Sequence, residues 1–263
     1  MTLLRVADLT VAFGGREVVS DVSLTVDRGQ RLGIIGESGS GKTLTALSII
    51  GLAPDVATVT GSVELDGVEL IGRPDRELAQ LRGPGVAMVF QIPMTALNPV
   101  MRIGRQTSEP LRIHRGLSRS DGATAALGWC RRVGLPDPER AVNAYPHQLS
   151  GGQRQRVGIA IALACSPALL IADEPTTALD VTVQAEVLAL LDELIAEGET
   201  ALVFITHDIA LVSQVAHSVI VMREGRVVEY GTTDDVVRRP RHAYTADLVA
   251  AARRTSWVAE VPA

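Results

Sequence analysis

The sequence is organised around Gly36-Glu37-Ser38-Gly39-Ser40-Gly41-Lys42-Thr43. This segment matches the phosphate-binding pattern G-x-x-x-x-G-K-[ST], in which glycines let backbone N–H groups wrap around phosphate. Lys42 supplies a positive charge for the β- and γ-phosphates, and Thr43 supplies a hydroxyl for Mg²⁺. Lys42 is the only lysine, and the other 24 of the 25 basic residues are arginine. The one compact ammonium group therefore stands where phosphate recognition requires it.

The flanking residues predict the secondary structure that this loop needs. Residues 31–35 form an apolar run typical of a buried strand, and residues 44–50 are typical of a helix opening. A phosphate on the loop would then lie at a helix N-terminus, which favours anions. The alternative is a glycine-rich turn between a strand and a helix without a ligand.

Composition limits the class of protein. The chain has 263 residues, 46% of them hydrophobic, which supports a substantial core in one large domain or two small ones. A net charge of −5 and only 3% aromatic residues argue against a general nucleic-acid binder. Cys130 and Cys165 show no metal or redox spacing, so we expect buried thiols in a reducing compartment.

The sequence contains no segment that predicts membrane insertion. Asp8 comes too early for a secretory signal, and the apolar run 159–165 is far shorter than the ~20 residues that span a bilayer. We therefore expect a soluble chain whose membrane role, if it has one, depends on a partner.

Short β-type runs dominate the first 91 residues. Runs at 3–9, 18–19 and 22–26 predict an antiparallel meander that feeds the strand before the phosphate loop. Residues 61–70 predict a hairpin with Asp-Gly at its turn, and residues 85–91 a buried strand that ends on Gln91.

Residues 92–148 differ from the strands before them. They carry four prolines before residue 137, many arginines, and helical spacing such as that of residues 123–130. The segment predicts an inserted helical subdomain.

Two later strands are predicted to end in charged residues. Residues 168–172 are an apolar run that leads into Asp173 and Glu174. Asp173 would provide a second contact to Mg²⁺, and Glu174 could polarise a water. A pair of carboxylates that merely faces solvent is the alternative. Residues 201–206 predict another buried strand, and His207 after it could contact phosphate.

A glycine pair precedes an apolar helix further along. In Leu149-Ser150-Gly151-Gly152-Gln153, Ser150 is a plausible N-cap, and the glycines expose backbone N–H groups at the positive end of the helix. By itself this pattern is also typical of an ordinary capped helix start.

Together these motifs resemble the ATP-binding subunit of an ABC transporter over almost the whole chain. The matching motifs, in order, are the phosphate loop, Gln91, the signature 149–153, the second nucleotide motif 170–174, the D-loop Ala178-Leu179-Asp180, and the switch histidine His207. The resemblance implies an α/β fold: a RecA-like P-loop NTPase core with an N-terminal antiparallel β subdomain and an inserted helical subdomain. It implies an ATP-binding domain over 1–251, with the helical subdomain at about 92–160, and a C-terminal tail at 252–263.

The resemblance also implies roles for particular residues. Phe13 would stack on adenine, although it is equally typical of a core aromatic when read alone. Gln91 would ligate Mg²⁺ and sense the membrane partner, Glu174 would be the general base, His207 would hold the γ-phosphate, and Asp180 would couple two sites. The implied ATP and Mg²⁺ site comprises Phe13, Gly36, Glu37, Ser38, Gly39, Ser40, Gly41, Lys42, Thr43, Thr45, Gln91, Leu149, Ser150, Gly151, Gly152, Gln153, Asp173, Glu174, Asp180 and His207.

Such proteins work as head-to-tail pairs, so the signature would contact the γ-phosphate bound by an opposing subunit. The resemblance implies an identical or similar second ATP-binding subunit, two transmembrane permease subunits and an extracytoplasmic solute-binding protein. It places the chain at the cytoplasmic face of a bacterial membrane, with no nucleic acid as partner.

Residues 90–99 and 239–245 resemble the branch that imports peptides or nickel. Ile92 stands where that branch usually has aspartate, and Ala243 replaces a proline. No iron–sulfur site is expected. The expected function is an ATPase that energises such an importer. The alternatives are an exporter ATPase, a soluble ABC ATPase acting on nucleic acid or ribosomes, and a non-hydrolysing scaffold.

Overall fold

The computed structural model describes residues 1–91, 96–177, 179–197 and 199–255. The chain divides into two compact units. Unit 1 comprises Met1–Gly72 and the residues from Val203 onward, and unit 2 comprises Arg73–Leu202. Ile92 and Ala178, both named above, lie outside the described residues. None of the helices in the described ranges is long and apolar enough to cross a membrane.

Unit 1 is built mainly from strands. Its elements are β1 (Thr2–Phe13), β2 (Arg16–Asp27), β3 (Arg31–Ile35), α1 (Lys42–Ile49), β4 (Ala57–Leu65), β5 (Val68–Glu69), the end of β8 (Ala201–Thr206), α8 (Ile209–Val215), β9 (Ser218–Arg223), β10 (Arg226–Thr232), α9 (Thr233–Arg238) and α10 (Ala243–Thr255). One sheet has the order β2-β1-β4-β5, and the other contains β10-β9-β3-β8.

The predicted N-terminal strands are present, but two of them are longer than expected. Alternating burial along β2 places Val22, Leu24 and Val26 in the core. The runs 18–19 and 22–26 belong to one strand, β2. A β-bulge separates them: Asp21 has φ 53°, and the pairing of β1 with β2 shifts register at this point. Such a bulge interrupts the apolar alternation without ending the strand. Asp8, with φ 51°, does the same in β1.

The sheet that carries the phosphate loop is buried on both faces. Every residue of β8 is buried, and so are four of the five residues of β3. Strand β3 pairs in parallel with β9, from Leu32 opposite Ser218 to Ile35 opposite Val221. The continuous apolar runs in these strands are therefore explained by two covered faces.

Unit 2 combines two parallel strands with most of the helices. Its elements are α2 (Asp75–Leu81), β6 (Val86–Val89), α3 (Ile103–Arg115), α4 (Arg119–Arg132), α5 (Pro138–Ala141), a 3₁₀ turn (Pro146–Gln148), α6 (Gly151–Leu163), β7 (Leu169–Asp173), α7 (Val181–Ala196) and the first residues of β8. β6 and β7 are parallel, with Val86 opposite Leu169 and Val89 opposite Ala172.

The helices predicted between residues 92 and 160 are present as α3, α4, α5 and the start of α6. The bounds of the helical subdomain stay a prediction, as does the tail at 252–263; α10 continues through residues 252–255. Both cysteines are free and buried, as expected. Burial raises the pKa of the Cys130 thiol to about 11 and also raises that of Cys165, so both thiols are protonated at neutral pH.

A tight turn between β9 and β10 supports the phosphate loop. Gly225 in this turn has φ +81°, donates its N–H to the carbonyl of Ser40 at 3.1 Å, and accepts from the N–H of Ser20 at 2.9 Å. A Cβ on Gly225 would lie 2.2 Å from the carbonyl oxygen of Val18. The position therefore requires glycine both for its backbone conformation and for space.

We predict that Gly225→Ala lowers the free energy of unfolding by about 3 kcal/mol, because left-handed strain of about 1 kcal/mol adds to a backbone clash. Gly67→Ala is the matched control, since Gly67 has φ +77° but open space around it, and it should cost about 1 kcal/mol. Urea unfolding of both variants measures the difference. Equal losses would show that the contact between the turn and β2 is unimportant.

Candidate functional site

The phosphate loop of unit 1 connects β3 to α1. Gly36 has no room for a side chain, because a Cβ there would lie 2.2 Å from the carbonyl oxygen of Met222 and 2.6 Å from Ser40 Oγ. Gly41, with φ +97°, precedes the first turn of α1. Gly39, with φ +81°, faces open space, because a Cβ added to it would meet no atom within 4 Å. The glycines thus allow a tight turn with an open face at the start of a helix.

Lys42 lies inside this loop. Its side chain is only 5% exposed, and its Nζ donates to the carbonyl oxygens of Gly36 at 2.8 Å and Glu37 at 2.9 Å. A buried ammonium group must be compensated by acceptors or by a bound anion. A loop with a lysine ammonium at a helix N-terminus has the charge and the donors that a phosphate chain requires. These residues therefore fit a nucleotide phosphate.

The two threonines of the predicted site differ in their environment. Thr43 is exposed at the start of α1. Thr45 is fully buried, and its Oγ1 donates to the carbonyl of Gly41 at 3.0 Å. Thr45 therefore holds the first turn of the helix, a role that the sequence did not suggest.

Tyr244 contacts the phosphate loop and was missed in the sequence. Its side chain is 6% exposed, and its hydroxyl oxygen accepts a hydrogen bond from the N–H of Glu37 at 2.9 Å. The guanidinium of Arg223 lies 5.0 Å from the centre of its ring. Burial raises the pKa of Tyr244, so the phenol is neutral at physiological pH. In the sequence, the segment 239–245 is notable only because it resembles one branch of the family. Nothing in it predicts that Tyr244 contacts the phosphate loop.

A buried carboxylate anchors the segment that carries Tyr244. Glu229 on β10 accepts hydrogen bonds from the N–H groups of Arg241 at 2.8 Å and His242 at 3.0 Å. Burial by itself would raise the pKa of Glu229, but the hydrogen bonds to its carboxylate, these two among them, outweigh burial and lower the pKa. The anchor is therefore charged and in place at neutral pH.

Phe13 and His207 complete the predicted residues of unit 1. Phe13 ends β1, opposite Arg16 on β2 and Ala57 on β4, and its side chain is partly exposed. Base stacking by Phe13 stays a prediction. His207 is exposed directly after β8, which neighbours β3 in the sheet. The next residue, Asp208, caps α8 by accepting from the N–H of Ala210 at 2.8 Å.

In unit 2, the residues predicted to act on water and metal lie together. Gln91 follows β6, Asp173 is the last residue of β7, and Glu174 follows it. Because these strands are parallel, their carboxyl ends lie at the same edge. Glu174 Oε2 accepts hydrogen bonds from Gln91 Nε2 at 2.8 Å and from Thr177 Oγ1 at 2.9 Å. Asp173 is 2% exposed.

Glu174 has an unusual backbone conformation. Its φ is +45°, in the left-handed region that non-glycine residues avoid at a cost of about 1–3 kcal/mol. The strain is maintained by the hydrogen bonds to its side chain and by the strand that precedes it. A carboxylate held in one orientation in this way is suited to positioning a water.

The signature residues form a reciprocal cap at the start of α6. Ser150 Oγ accepts from the N–H of Gln153 at 3.3 Å, and Gln153 Oε1 accepts from the N–H of Ser150 at 2.9 Å. The predicted N-cap is therefore confirmed. Leu149 precedes it, directly after the 3₁₀ turn.

The signature also contacts the start of α7. A Cβ on Gly152 would lie 2.6 Å from Cγ1 of Val183, so α7 packs directly on the backbone at Gly152. Asp180, the N-cap of α7, accepts from the N–H of Val183 at 3.0 Å. Val183 thus connects the signature to the D-loop aspartate, and its role could not be read from the sequence.

Residues 19–177 match the model of the family described as ABC transporter, which is more than half of the chain. The chain belongs to the ABC transporter family. It is 46% identical to the oligopeptide transport ATP-binding protein OppD of Salmonella typhimurium. This match extends over 256 residues and covers 96% of this chain and 76% of that protein. It is 49% identical over 253 residues to the probable peptide ABC transporter ATP-binding protein y4tR of Sinorhizobium fredii, with coverage of 94% and 76%.

Solved structures of this family share the fold. The ATP-binding cassette MJ0796, described as the dimeric structure of a post-hydrolysis state bound to ADP and Pi, superposes with a TM-score of 0.77. It is 31% identical, and the match covers 88% of this chain and 99% of that one. The predicted P-loop NTPase fold, the family and ATPase activity are thus confirmed. This ABC ATPase binds ATP and is a subunit of a membrane transporter.

We predict that Tyr244→Phe weakens ATP binding about threefold to tenfold, because the loop loses one acceptor while the ring keeps its packing. Tyr230→Phe is the control, since Tyr230 is 61% exposed and should leave affinity unchanged. Calorimetric titration of ATP measures both variants. Unchanged affinity in Tyr244→Phe would show that the hydroxyl does not position the loop.

We predict that Ser150→Ala loses about 1 kcal/mol of unfolding free energy and most of the ATPase activity. Ser118→Ala removes the equivalent cap from α4, where Ser118 accepts from the N–H of Asp121. It should lose similar stability and keep its activity. Urea unfolding and phosphate release distinguish the two effects, and equal activity in both variants would leave the signature serine with a structural role only.

Proposed function

We propose that this ABC ATPase energises the import of peptides, with nickel as the alternative cargo, by binding and hydrolysing ATP. The observation that carries the ATPase part is Lys42, the chain's one lysine, buried within a glycine loop at a helix N-terminus. Support for peptide cargo comes from the relatives named above, which are described as peptide transport proteins and are 46% and 49% identical.

The residues of unit 1 provide the proposed nucleotide contacts. The loop residues Gly36–Thr43, with Thr45 behind them, would bind the phosphates, and Phe13 would stack on the base. His207 would hold the γ-phosphate. The support is the buried ammonium of Lys42 and the absence of space for side chains at Gly36.

Three residues are the proposed ligands of Mg²⁺. The proposed ligand in unit 1 is the hydroxyl of Thr43, which is exposed. The proposed ligands in unit 2 are the carboxylate of Asp173 and the amide oxygen of Gln91. Hydroxyl, carboxylate and amide oxygens are hard ligands of the kind that Mg²⁺ prefers, so the donor set fits the ion. When bound, Mg²⁺ would neutralise charge on the phosphates.

Glu174 is the proposed general base, and it would accept a proton from the water that attacks the γ-phosphate. Gln91 and Thr177 would keep the carboxylate in the orientation that it has in the structure. Because Gln91 donates to Glu174, a movement of Gln91 caused by a membrane partner would also move the base. Gln91 is thus the proposed connection between permease and hydrolysis.

The working form would be a pair of ATP-binding subunits, either two copies of this chain or this chain with a similar companion. Ser150, Gly151, Gly152 and Gln153 would contact the nucleotide of the opposing subunit, and Asp180 would couple the two sites. Support comes from the cassette MJ0796, which is described as dimeric. The pair would dock on two permease subunits at the cytoplasmic face of the membrane, and an extracytoplasmic binding protein would deliver the solute.

The test uses the chain purified with its permease subunits and reconstituted in proteoliposomes, with labelled peptides and Ni²⁺ as separate substrates. We predict that Glu174→Gln binds ATP normally but hydrolyses it about 10²–10⁴-fold more slowly, and that peptide uptake falls with it. Glu139→Gln, which changes an exposed carboxylate paired with Arg131, is the control and should keep both activities.

Lys42→Ala distinguishes a defect in ATP binding from a defect in hydrolysis. This variant should lose affinity for ATP, whereas Glu174→Gln should keep it. Near-normal hydrolysis in Glu174→Gln would contradict the assignment of the general base. Uptake of Ni²⁺ without uptake of peptides would contradict the peptide cargo.

A further inference from the structure

Four arginines surround a cleft in unit 2 that the ATPase mechanism does not use. The cleft has a volume of about 470 Å³ and lies between α3, the start of α4 and the residues that follow α5. We name it the arginine cleft and define it by Arg102, Arg105, Ser108, Arg112, Arg119 and Asn143. None of these residues belongs to the proposed nucleotide site.

The positive charge of the cleft is not neutralised within the described residues. No acidic side chain lines it, and none of its four arginines forms one of the ion pairs found there. Neighbouring arginines behave differently, since Arg131 pairs with Glu139 and Arg132 with Glu197. The chain as a whole has a net charge of −5, so acidic residues outnumber basic ones. An excess of basic residues in the composition therefore does not explain four arginines without acidic partners in one cleft.

Arg112 is held in the cleft by a close contact with α4. A Cβ on Gly122 would lie 3.2 Å from both Cγ and Cδ of Arg112, so the stem of this arginine packs against the backbone of α4. Its Nε is buried and has no hydrogen-bond partner. A buried donor without an acceptor costs about 1–3 kcal/mol, which an anionic ligand on the same guanidinium would offset.

The polar groups between the arginines are held in place by the backbone. Gly104 donates its N–H to the carbonyl of Val142 at 2.8 Å, and a Cβ there would lie 2.9 Å from the same oxygen. This contact fixes Asn143 beside the start of α3. Arg102 lies 5.9 Å from the centre of the Tyr145 ring and donates to Asn143 Oδ1 at 3.5 Å.

The number of arginines indicates which anion the cleft would take. A guanidinium group binds carboxylate or phosphate through two parallel hydrogen bonds. A carboxylate brings one negative charge, whereas a phosphate monoester brings about 1.5–2 at neutral pH. Four uncompensated positive charges around a volume typical of ligand sites are thus matched best by phosphate groups.

We propose that the arginine cleft binds a phosphate-bearing ligand, separate from the ATP that the chain hydrolyses. The phosphate could come from a small soluble molecule or from the headgroup of a membrane lipid, because both present the same group to the guanidinium forks.

The experiment uses the purified chain with saturating ADP and Mg²⁺, so that the phosphate loop is occupied before the probe is added. Inorganic pyrophosphate is then titrated by calorimetry. We expect the wild type to bind it, and the double variant Arg105→Gln/Arg112→Gln to bind at least tenfold more weakly. The double variant Arg131→Gln/Arg132→Gln is the matched control on α4 and should bind like the wild type.

A second arm identifies the source of the phosphate. Sedimentation with phosphatidylcholine vesicles, with and without phosphatidic acid, should show binding that is lost in Arg105→Gln/Arg112→Gln if the ligand is a lipid, and no binding if it is soluble. Arg119→Gln, at the exposed first residue of α4, serves as a further variant if the double variant does not fold, and should weaken binding severalfold. Equal binding by wild type and cleft variants, or binding of neither probe, would overturn the proposal.

Discussion

The phosphate loop of unit 1 is arranged around one buried ammonium group. Lys42 Nζ is bonded to two carbonyl oxygens of its own loop, and this arrangement is available only if the chain turns tightly enough at Gly36. Two contacts from distant parts of the sequence maintain the turn: Gly225 donates to Ser40, and Tyr244 accepts from Glu37. The loop is thus a short segment stabilised by the hairpin and the helix that follow much later in the chain.

In unit 2, residues with proposed roles in the reaction also terminate secondary structure. Ser150 and Gln153 cap α6, Asp180 caps α7, and Val183 packs against Gly152 between them. Free N–H groups at a helix start are needed to bind an anion, and a side-chain cap determines where that helix starts. The same side chains therefore define both the helix ends and the groups available to a ligand.

Local motifs made much of the molecule predictable. The glycine loop, the carboxylates of Asp173 and Glu174 at the end of β7 and just after it, and the cap at Ser150 all depend on neighbouring residues. Their spacing in the sequence is therefore sufficient to predict them. The contacts of Tyr244 and Val183, and the arginine cleft, depend on residues far apart in the chain, which periodicity does not reveal. The bulges at Asp8 and Asp21 were missed because a left-handed aspartate interrupts the alternation on which strand prediction relies.

The unique lysine has a practical consequence for chemistry on this protein. Among the 263 residues, Lys42 carries the only side-chain amine, and this residue is 5% exposed to solvent. An endoprotease specific for lysine has a single cleavage site, inside the loop. Modification or cleavage at residue 42 therefore reports when this one loop opens, without any engineered label or probe.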